Sequence, residues 1–358
     1  MHERFMQIAI DEAKKGMNNT FINPLVGAVI VKDNHILVKG AHLEYGCEHA
    51  ERNAISQCKS PKELLNSTLY VTLEPCAHFG KQPPCAQLLV KSGIKTVIIG
   101  QLDPNPLVKG KGIAYLKKHG VEVVLGMKEK EARQLNPYYN FLYEKNRPYI
   151  VLKQSITLDG KIAINEKKRT KITGEEVWNI VHEERDNYHG IIVGSQTILT
   201  DNPTLLSTKK SKFPPVRIII DRRGRTLKKD LNIFKDKSSM VWTFTETMRP
   251  VYLPSHVEII RKPTISLCDV INELTNRNIQ SLYVEGGGRL HDSFIENDFW
   301  DEIITYLSPK ILGGNSLASF RSDRVVKGCT KLKSVQIKKI GEDFRIVGKR
   351  EEDICLLD

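Results

Sequence analysis

No apolar run in the 358 residues approaches the ~18 needed to cross a bilayer, so no transmembrane helix and no membrane partner are expected. The opening Met1-His2-Glu3-Arg4-Phe5 has neither the basic start nor the apolar stretch of a secretory leader, and the cytoplasm is the expected compartment. Cysteine is scarce and odd in number. The seven residues Cys47, Cys58, Cys76, Cys85, Cys268, Cys329 and Cys355 do not suggest a disulfide framework, and a reducing compartment would keep such thiols free to bind metal. Low-complexity tracts and short internal repeats are missing as well. Aromatic residues make up 7% and do not interleave with the basic ones, which argues against a platform for single-stranded nucleic acid.

What remains is the composition of an ordinary globular protein, 40% hydrophobic and 27% charged. The length suggests two domains, because single cores rarely grow much beyond ~250 residues. A formal net charge of +12 admits an anionic partner, either nucleic acid or a small phosphorylated metabolite. Much of the excess sits in scattered pairs, such as Lys117-Lys118, Lys167-Lys168, Lys209-Lys210 and Lys228-Lys229. These read as solvated faces and loops.

In the first half the pattern predicts helices over 3–14, 84–92, 113–119 and 128–135, with another beginning near Glu48. Strands are expected at 26–31, 36–39, 69–73, 96–100 and 121–124. Asn136-Pro137-Tyr138-Tyr139-Asn140 is read only as a polar aromatic stretch, and Arg147-Pro148 as the boundary between domains. The second half shows strands at 149–153, 190–194, 216–221, 281–284, 303–307 and 344–348. Helices are expected over 174–187 and after Glu285-Gly286-Gly287-Gly288. The alternation implies two α/β domains, residues 1–147 and 148–358.

Three features of the first half converge on a metal. His49-Ala50-Glu51 places an imidazole beside a carboxylate at a helix start, Glu74-Pro75-Cys76 follows a strand, and Cys85 comes nine residues later. One histidine and two cysteines leave the fourth tetrahedral position of zinc open, as a catalytic site requires. Zinc lowers the pKa of bound water towards ~7, which suits hydrolysis of an amidine-like carbon. Glu51 would then carry protons from the water to the ring nitrogen and the departing ammonia. Taken singly, a buried cysteine is usually a small hydrophobe and a histidine near a helix start a cap. Two other readings stay open: a zinc deaminase of nucleic acid or nucleosides with a degenerate second domain, and a binding module whose zinc is structural.

The segment from Cys76 to Cys85 is longer than the Cys-x-x-Cys of nucleoside and nucleic-acid deaminases. With Asn23-Pro24-Leu25-Val26-Gly27, Gly40-Ala41-His42 and the run Asp103-Pro104-Asn105-Pro106-Leu107 through Gly112, it resembles the deaminase domain of the bifunctional riboflavin-biosynthesis deaminase/reductase family. The resemblance implies a cytidine-deaminase-like fold. It implies that Asn23, His42, His78, Lys81 and Asn105 line the substrate pocket. The implied substrate is a small phosphorylated pyrimidine, a diaminopyrimidinone carrying ribosylamine 5-phosphate.

The second half carries Lys153-Gln154-Ser155, Ile172-Thr173-Gly174, Val193-Gly194-Ser195-Gln196-Thr197 and Asp201-Asn202-Pro203-Thr204-Leu205. It also carries Glu285 through Leu290 and Pro309-Lys310-Ile311-Leu312-Gly313-Gly314. These resemble the reductase domain of the same family, which implies a dihydrofolate-reductase-like fold, NADPH as cofactor and a homo-oligomer. Lys153, Arg169, Arg185, Leu205, Thr208 and Glu285 fall at substrate positions by that resemblance. Ser155, Lys171, Thr197, Asp201, Gly287, Gly288, Arg289 and Leu290 fall at cofactor positions. Physically, a glycine-rich strand-to-helix turn lets backbone N–H groups approach a phosphate, Glu285 beside it suits a sugar hydroxyl, and the planar fork of Arg185 suits a phosphate. The run is not Gly-x-Gly-x-x-Gly, so a Rossmann fold is not indicated. Three positions depart from the family pattern, which usually has a small hydroxyl residue at Arg169, tryptophan at Lys171 and arginine at Thr208. Lys209 and Lys210, or Lys171, would have to replace the lost charge; a weakened or altered reductase is the other outcome.

Overall fold

The computed structural model describes residues 2–79, 83–208, 211–325 and 329–351. The chain divides into two compact units, Met1–Asn146 and Arg147–Asp358.

The first unit is built on strands β1 (Gly27–Lys32), β2 (His35–Ala41), β3 (Thr68–Leu73), β4 (Thr96–Gln101) and β5 (Glu122–Leu125), in the order β2-β1-β3-β4-β5. Strand β1 runs antiparallel to both neighbours, while β3, β4 and β5 are parallel. Its helices are α1 (His2–Ala13), α2 (Ala50–Ser56), α3 (Cys85–Lys91), α4 (Lys111–Lys118), α5 (Glu129–Gln134) and α6 (Pro137–Lys145). The pleat sorts the core. Ala28 and Ile30 of β1 pack with Ala50, Ala54, Leu89 and Leu116 of α2, α3 and α4, whereas Val29 and Val31 meet Phe5, Met6, Ala9 and Ile10 of α1. Helices on both faces explain why β3 and β4 are almost wholly buried. At Gly40 a Cβ would lie 2.3 Å from the Ala54 backbone nitrogen, so only glycine lets α2 sit this close to β2. That contact fixes the helix that begins beside His49.

The second unit contains a nine-stranded sheet. Its strands are β6 (Tyr149–Thr157), β8 (Gly190–Gly194), β9 (Val216–Ile220), β10 (Val241–Thr245), β11 (Val257–Arg261), β12 (Ser281–Val284), β13 (Glu302–Ser308), β15 (Leu332–Ile340) and β16 (Asp343–Arg350). They lie in the order β11-β10-β9-β8-β12-β6-β13-β16-β15, parallel as far as β13 and antiparallel beyond it. The short strands β7 (Lys161–Ala163) and β14 (Leu317–Ala318) pair separately. Helices α7 (Glu175–Glu184), α8 (Ser195–Asp201), α9 (Asn232–Lys235), α10 (Leu267–Asn276) and α11 (Gly288–Glu296) complete the unit.

Most of the expected elements are present within a few residues. The stretch at Asn136 is instead the start of α6, with Pro137 in the first turn, where its missing N–H costs nothing. Strands β10, β11 and β15 and helix α10 were not visible in the sequence pattern. Val241-Trp242-Thr243-Phe244-Thr245 is buried at every position, so it lacks the alternation that marks a half-exposed strand.

Candidate active sites

The first site lies where β3 and β4 end. His49 is the residue preceding α2, Glu51 lies in that helix's first turn, Cys76 follows β3, and Cys85 opens α3. His49 Nδ1 lies 3.5 Å from Cys76 Sγ and 3.4 Å from Cys85 Sγ, and the three ligand atoms all fall within 4.8 Å of one another. Tetrahedral zinc with Zn–S near ~2.3 Å and Zn–N near ~2.1 Å has nitrogen-to-sulfur edges of about 3.5–3.6 Å. The geometry fits zinc. Among the described residues no fourth histidine, cysteine or carboxylate joins the group, as an open catalytic position requires.

The electrostatics agree. A hydrogen bond from Cys85 pulls the Cys76 thiol down towards thiolate, and a hydrogen bond to Cys76 raises His49. Glu51 is only 3% exposed. Burial raises its pKa, as a group that both takes and gives a proton near neutrality needs, and its carboxyl reaches the Cys85 thiol.

Around this centre stand several residues expected at the pocket. His42 is buried; its Nδ1 pairs with the Glu48 carbonyl at 2.9 Å and its Nε2 with Asn23 Nδ2 at 3.1 Å. A ring that donates from Nδ1 and accepts at Nε2 is neutral, consistent with burial lowering its pKa. His42 and His49 meet edge to face with centroids 5.7 Å apart. Asn105 follows Asp103, whose carboxylate accepts its backbone N–H at 2.9 Å. His78 is exposed on the loop after Cys76, and Lys81 lies outside the described residues.

Sequence reasoning missed what holds these loops. The buried Glu74 carboxylate accepts N–H groups from Gly110 at 2.9 Å, Gly112 at 3.0 Å, Ile113 at 3.2 Å and Asp103 at 3.4 Å. It thereby ties the Cys76 segment to the Asn105 loop and caps α4. Asn136 clamps Leu25 through both its amide atoms, at 2.7 and 2.9 Å, and so fixes the chain next to Asn23. An acid within the otherwise apolar run before Cys76 was the available signal for Glu74.

The second unit contains a cleft of about 1060 Å³. It gathers Lys153, Ser155, Arg169, Lys171, Arg185, Thr197, Asp201, Leu205, Glu285, Gly287, Gly288, Arg289 and Leu290. Thr208 is exposed and does not line it. Arg185 is not the free phosphate fork that the sequence suggested. Its Nε and Nη2 donate to Glu285 at 2.6 and 2.9 Å, and its Nη1 donates to the Leu206 carbonyl at 2.7 Å. Burial pushes Glu285 up, but the Arg185 charge and hydrogen bonds outweigh it and hold the carboxyl at about 2. Lys153 Nζ lies 3.9 Å from the same carboxylate, and burial lowers its pKa. Burial raises that of Asp201.

Packing also requires two glycines of the turn. A Cβ on Gly288 would lie 2.4 Å from the Ala318 carbonyl and one on Gly286 2.5 Å from the Leu290 side chain. Both glycines therefore serve close packing. Gly287 alone is open, its nearest neighbour Ile162 at 3.9 Å.

Beneath the cleft Glu184 accepts from Tyr283 Oη at 2.7 Å, Tyr306 Oη at 2.8 Å and Arg345 Nη2 at 2.7 Å, joining α7 to β12, β13 and β16. Arg217, fully buried in β9, donates to the carbonyls of Thr204 at 3.2 Å and Asp236 at 2.8 Å. It holds the loop on which Leu205 adopts a left-handed φ of 56°. An arginine in the apolar run Val216–Ile220 was the sequence signal for that clamp.

Comparison with known proteins matches each half of the chain to a family. Residues 1–101 match the cytidine and deoxycytidylate deaminase zinc-binding region, and residues 148–346 match the RibD C-terminal domain. The riboflavin biosynthesis protein RibD of Bacillus amyloliquefaciens is 37% identical over 99% of both chains. That of Escherichia coli (strain K12) is 31% identical over 95% of this chain and 97% of its own. Among solved structures, Acinetobacter baumannii RibD has a TM-score of 0.84 at 32% identity, covering 98% of this chain and 99% of its own. A Thermotoga maritima diaminohydroxyphosphoribosylaminopyrimidine deaminase/5-amino-6-(5-phosphoribosylamino)uracil reductase has a TM-score of 0.79 at 38% identity, again over 98% and 99%. The chain belongs to the RibD family of riboflavin-biosynthesis proteins, which join a zinc deaminase to a reductase.

Proposed function

We propose that residues 1–147 hydrolyse an amino group from 2,5-diamino-6-ribosylamino-4(3H)-pyrimidinone 5′-phosphate and that residues 148–358 then reduce its ribosyl side chain to ribityl with NADPH. The observation that carries the reading is the convergence of His49, Cys76 and Cys85 beside a buried Glu51. Zinc held by those three side chains supplies Lewis acidity that makes water nucleophilic near neutral pH. Glu51 takes a proton from the attacking water and passes it to the ring nitrogen, then takes the remaining proton from the hydroxyl now on the ring carbon and delivers it to the amino group, which leaves as ammonia. Asn23, itself oriented by its hydrogen bond to the neutral His42, holds the pyrimidine edge by hydrogen bonds. Glu74 keeps Asn105 in place without touching the substrate.

In the second unit bound NADPH would supply a hydride for the first carbon of the opened sugar, and the heteroatom bonded there would take a proton from solvent. Lys153 and Asp201 face the cleft and position the sugar and the nicotinamide. Arg185 orients Glu285, which in turn faces Lys153. The free thiols of the ligand set support a reducing compartment, the cytoplasm, and the exposed Val335 and Ile337 on edge strand β15 support a homo-oligomer.

Mass spectrometry of products from the diaminopyrimidinone ribosyl phosphate, with and without NADPH, tests the assignment. A deaminated ribosyl product without NADPH and a deaminated ribityl product with it are expected. The same ribosyl product in both tubes would remove the reductase half, and unchanged substrate in both would remove the deaminase half.

A further inference from the structure

The wall that α7 gives to the second cleft is a stripe of three side chains. Trp178, His182 and Arg185 recur at the spacing that places residues on one face of a helix, and all three line the cleft, while Val177 and Val181 are buried beside them. Arg185 is locked to Glu285 at the buried end of the stripe, and Lys153 Nζ lies 3.9 Å from the same carboxylate. His182 comes next, close enough for the charges of Arg185, Glu285 and Lys153 to act on it. Trp178 ends the stripe towards solvent, 45% exposed.

The two rings are mounted on each other. Their centroids lie 3.8 Å apart with 35° between the planes, and His182 Nδ1 pairs with the Trp178 carbonyl at 2.7 Å. The imidazole thus backs the indole and is itself tied to the helix. A tryptophan usually buries most of its large apolar surface. Here nearly half of it stays open on a cleft, and no other aromatic side chain lines that cleft.

We propose that Trp178, backed by His182, is the platform on which the aminouracil ring of the substrate stacks. The inference rests on the reductase reading, in which both reactants carry a planar ring, the aminouracil and the nicotinamide. The open backbone suited to a dinucleotide phosphate is at Gly287, where α11 begins. The aromatic pair belongs to α7 and stands beside Lys153, the group that positions the sugar. A ring stacked on Trp178 leaves its sugar chain within reach of Lys153 and Glu285.

Calorimetric titration of the full chain with the ribityl product, which carries the same ring and takes no further hydride, and separately with NADPH tests the platform. Trp178→Ala should weaken product binding about tenfold and leave NADPH binding within about a factor of two, and Trp178→Phe should recover most of the loss. In turnover, KM for the deaminated substrate should rise by a similar factor at little-changed kcat, the mark of binding shared by ground and transition states. Unchanged product affinity in Trp178→Ala overturns the proposal. So does a loss that falls on NADPH alone or equally on both ligands, or failure of the unsubstituted chain to bind the product. A fall in mass by light scattering with product affinity kept would assign the indole to a contact between copies and overturn it too. Absent NADPH oxidation by a chain that binds the product would sink the reductase reading while the titration still decides the platform. Trp242 and Trp300, both buried, report folding in the variant. If Trp178→Ala unfolds, Trp178→Leu, which keeps apolar bulk without a stacking face, must show the same loss.

Discussion

The two units place reactive groups in opposite ways. In the first, His49, Glu51, Cys76 and Cys85 come from two short segments seated on the ends of adjoining elements, and their ligand atoms meet at one point. In the second, Lys153 of β6, Arg185 at the end of α7 and Glu285 after β12 pair with one another on the wall of the cleft, while Arg345 of β16 pairs with Glu184. A metal site needs several donors converging on one ion, so the spacing of its ligands is marked in the chain. A cleft for two extended reactants needs a wide surface, and its polar groups are fixed by whichever neighbour the topology supplies. The first arrangement should therefore fail abruptly on single changes to chemistry, the second on loss of a charge partner.

The largest effect should follow from Glu51→Gln. Deaminase turnover is expected to fall by about 10²–10⁴, the range typical of a positioned general acid–base, with zinc content unchanged by elemental analysis. Reduction of the already deaminated intermediate should continue at its normal rate. Deamination within a factor of a few of the unsubstituted enzyme would remove the role assigned to Glu51. Next comes Arg185→Met, which leaves Glu285 buried without its fork; both side chains are under 10% exposed. Loss of about 3–5 kcal/mol in chemical denaturation of the second unit is expected, with part regained in Arg185→Met/Glu285→Gln. A phosphate ligand would instead show weaker substrate binding at unchanged stability, so the pair of measurements separates the two roles.

The same contrast explains what could be read in advance. His49, Glu51, Cys76 and Cys85 were legible because chemistry fixes their spacing, and the parallel strands because buried runs such as Val97-Ile98-Ile99 have few alternatives. Glu74 stood out as an acid beside a buried strand, but its role was not legible, since its partners at 103–113 are backbone N–H groups and leave no side-chain pattern. Arg185 was assigned to a ligand because its partner Glu285 lies a hundred positions away, and only the neighbouring of β8, β12 and β6 brings the two together. The packing role of Gly288 was hidden for the same reason: the Ala318 backbone that demands it is distant in sequence.

Acid should shift the stabilities of the two units in opposite directions. Burial in the second unit lowers the His291 imidazole to about 4, against ~6.5 for a free histidine. Between those values the unfolded chain binds a proton that the folded unit refuses, so this contribution is present above ~6.5 and lost as pH falls towards 4. Its full extent is roughly 3 kcal/mol. Asp103 in the first unit has the opposite sign. Burial raises its carboxyl to about 6 against ~3.9 unfolded, so its contribution is present below ~3.9 and disappears as pH rises through 6. All three tryptophans, Trp178, Trp242 and Trp300, belong to the second unit, so their fluorescence follows it alone. Denaturation by that signal should weaken from pH 6.5 to 4, and His291→Gln should flatten the slope. A slope unchanged in that variant would assign the acid sensitivity to other groups.

The smallest effect concerns a helix that the sequence pattern did not reveal although its start signal was present. Ser266-Leu267-Cys268-Asp269 forms a reciprocal cap on α10: the Ser266 hydroxyl accepts from the Asp269 N–H at 3.1 Å, while the Asp269 carboxylate accepts from the Ser266 N–H at 3.0 Å. Leu267, Val270, Ile271 and Leu274 bury the opposite face against the strands of the second sheet. That burial, and not the cap, holds most of the helix in place. Ser266→Ala should therefore cost about 1 kcal/mol, seen as a small fall in the denaturation midpoint at unchanged m-value. Neither deamination nor NADPH oxidation should change, because α10 contributes no residue to the cleft. A loss several times larger would mean that stability in the second unit hangs on single local contacts as the chemistry of the first does, and the contrast between the units would then hold for their sites but not for their folds.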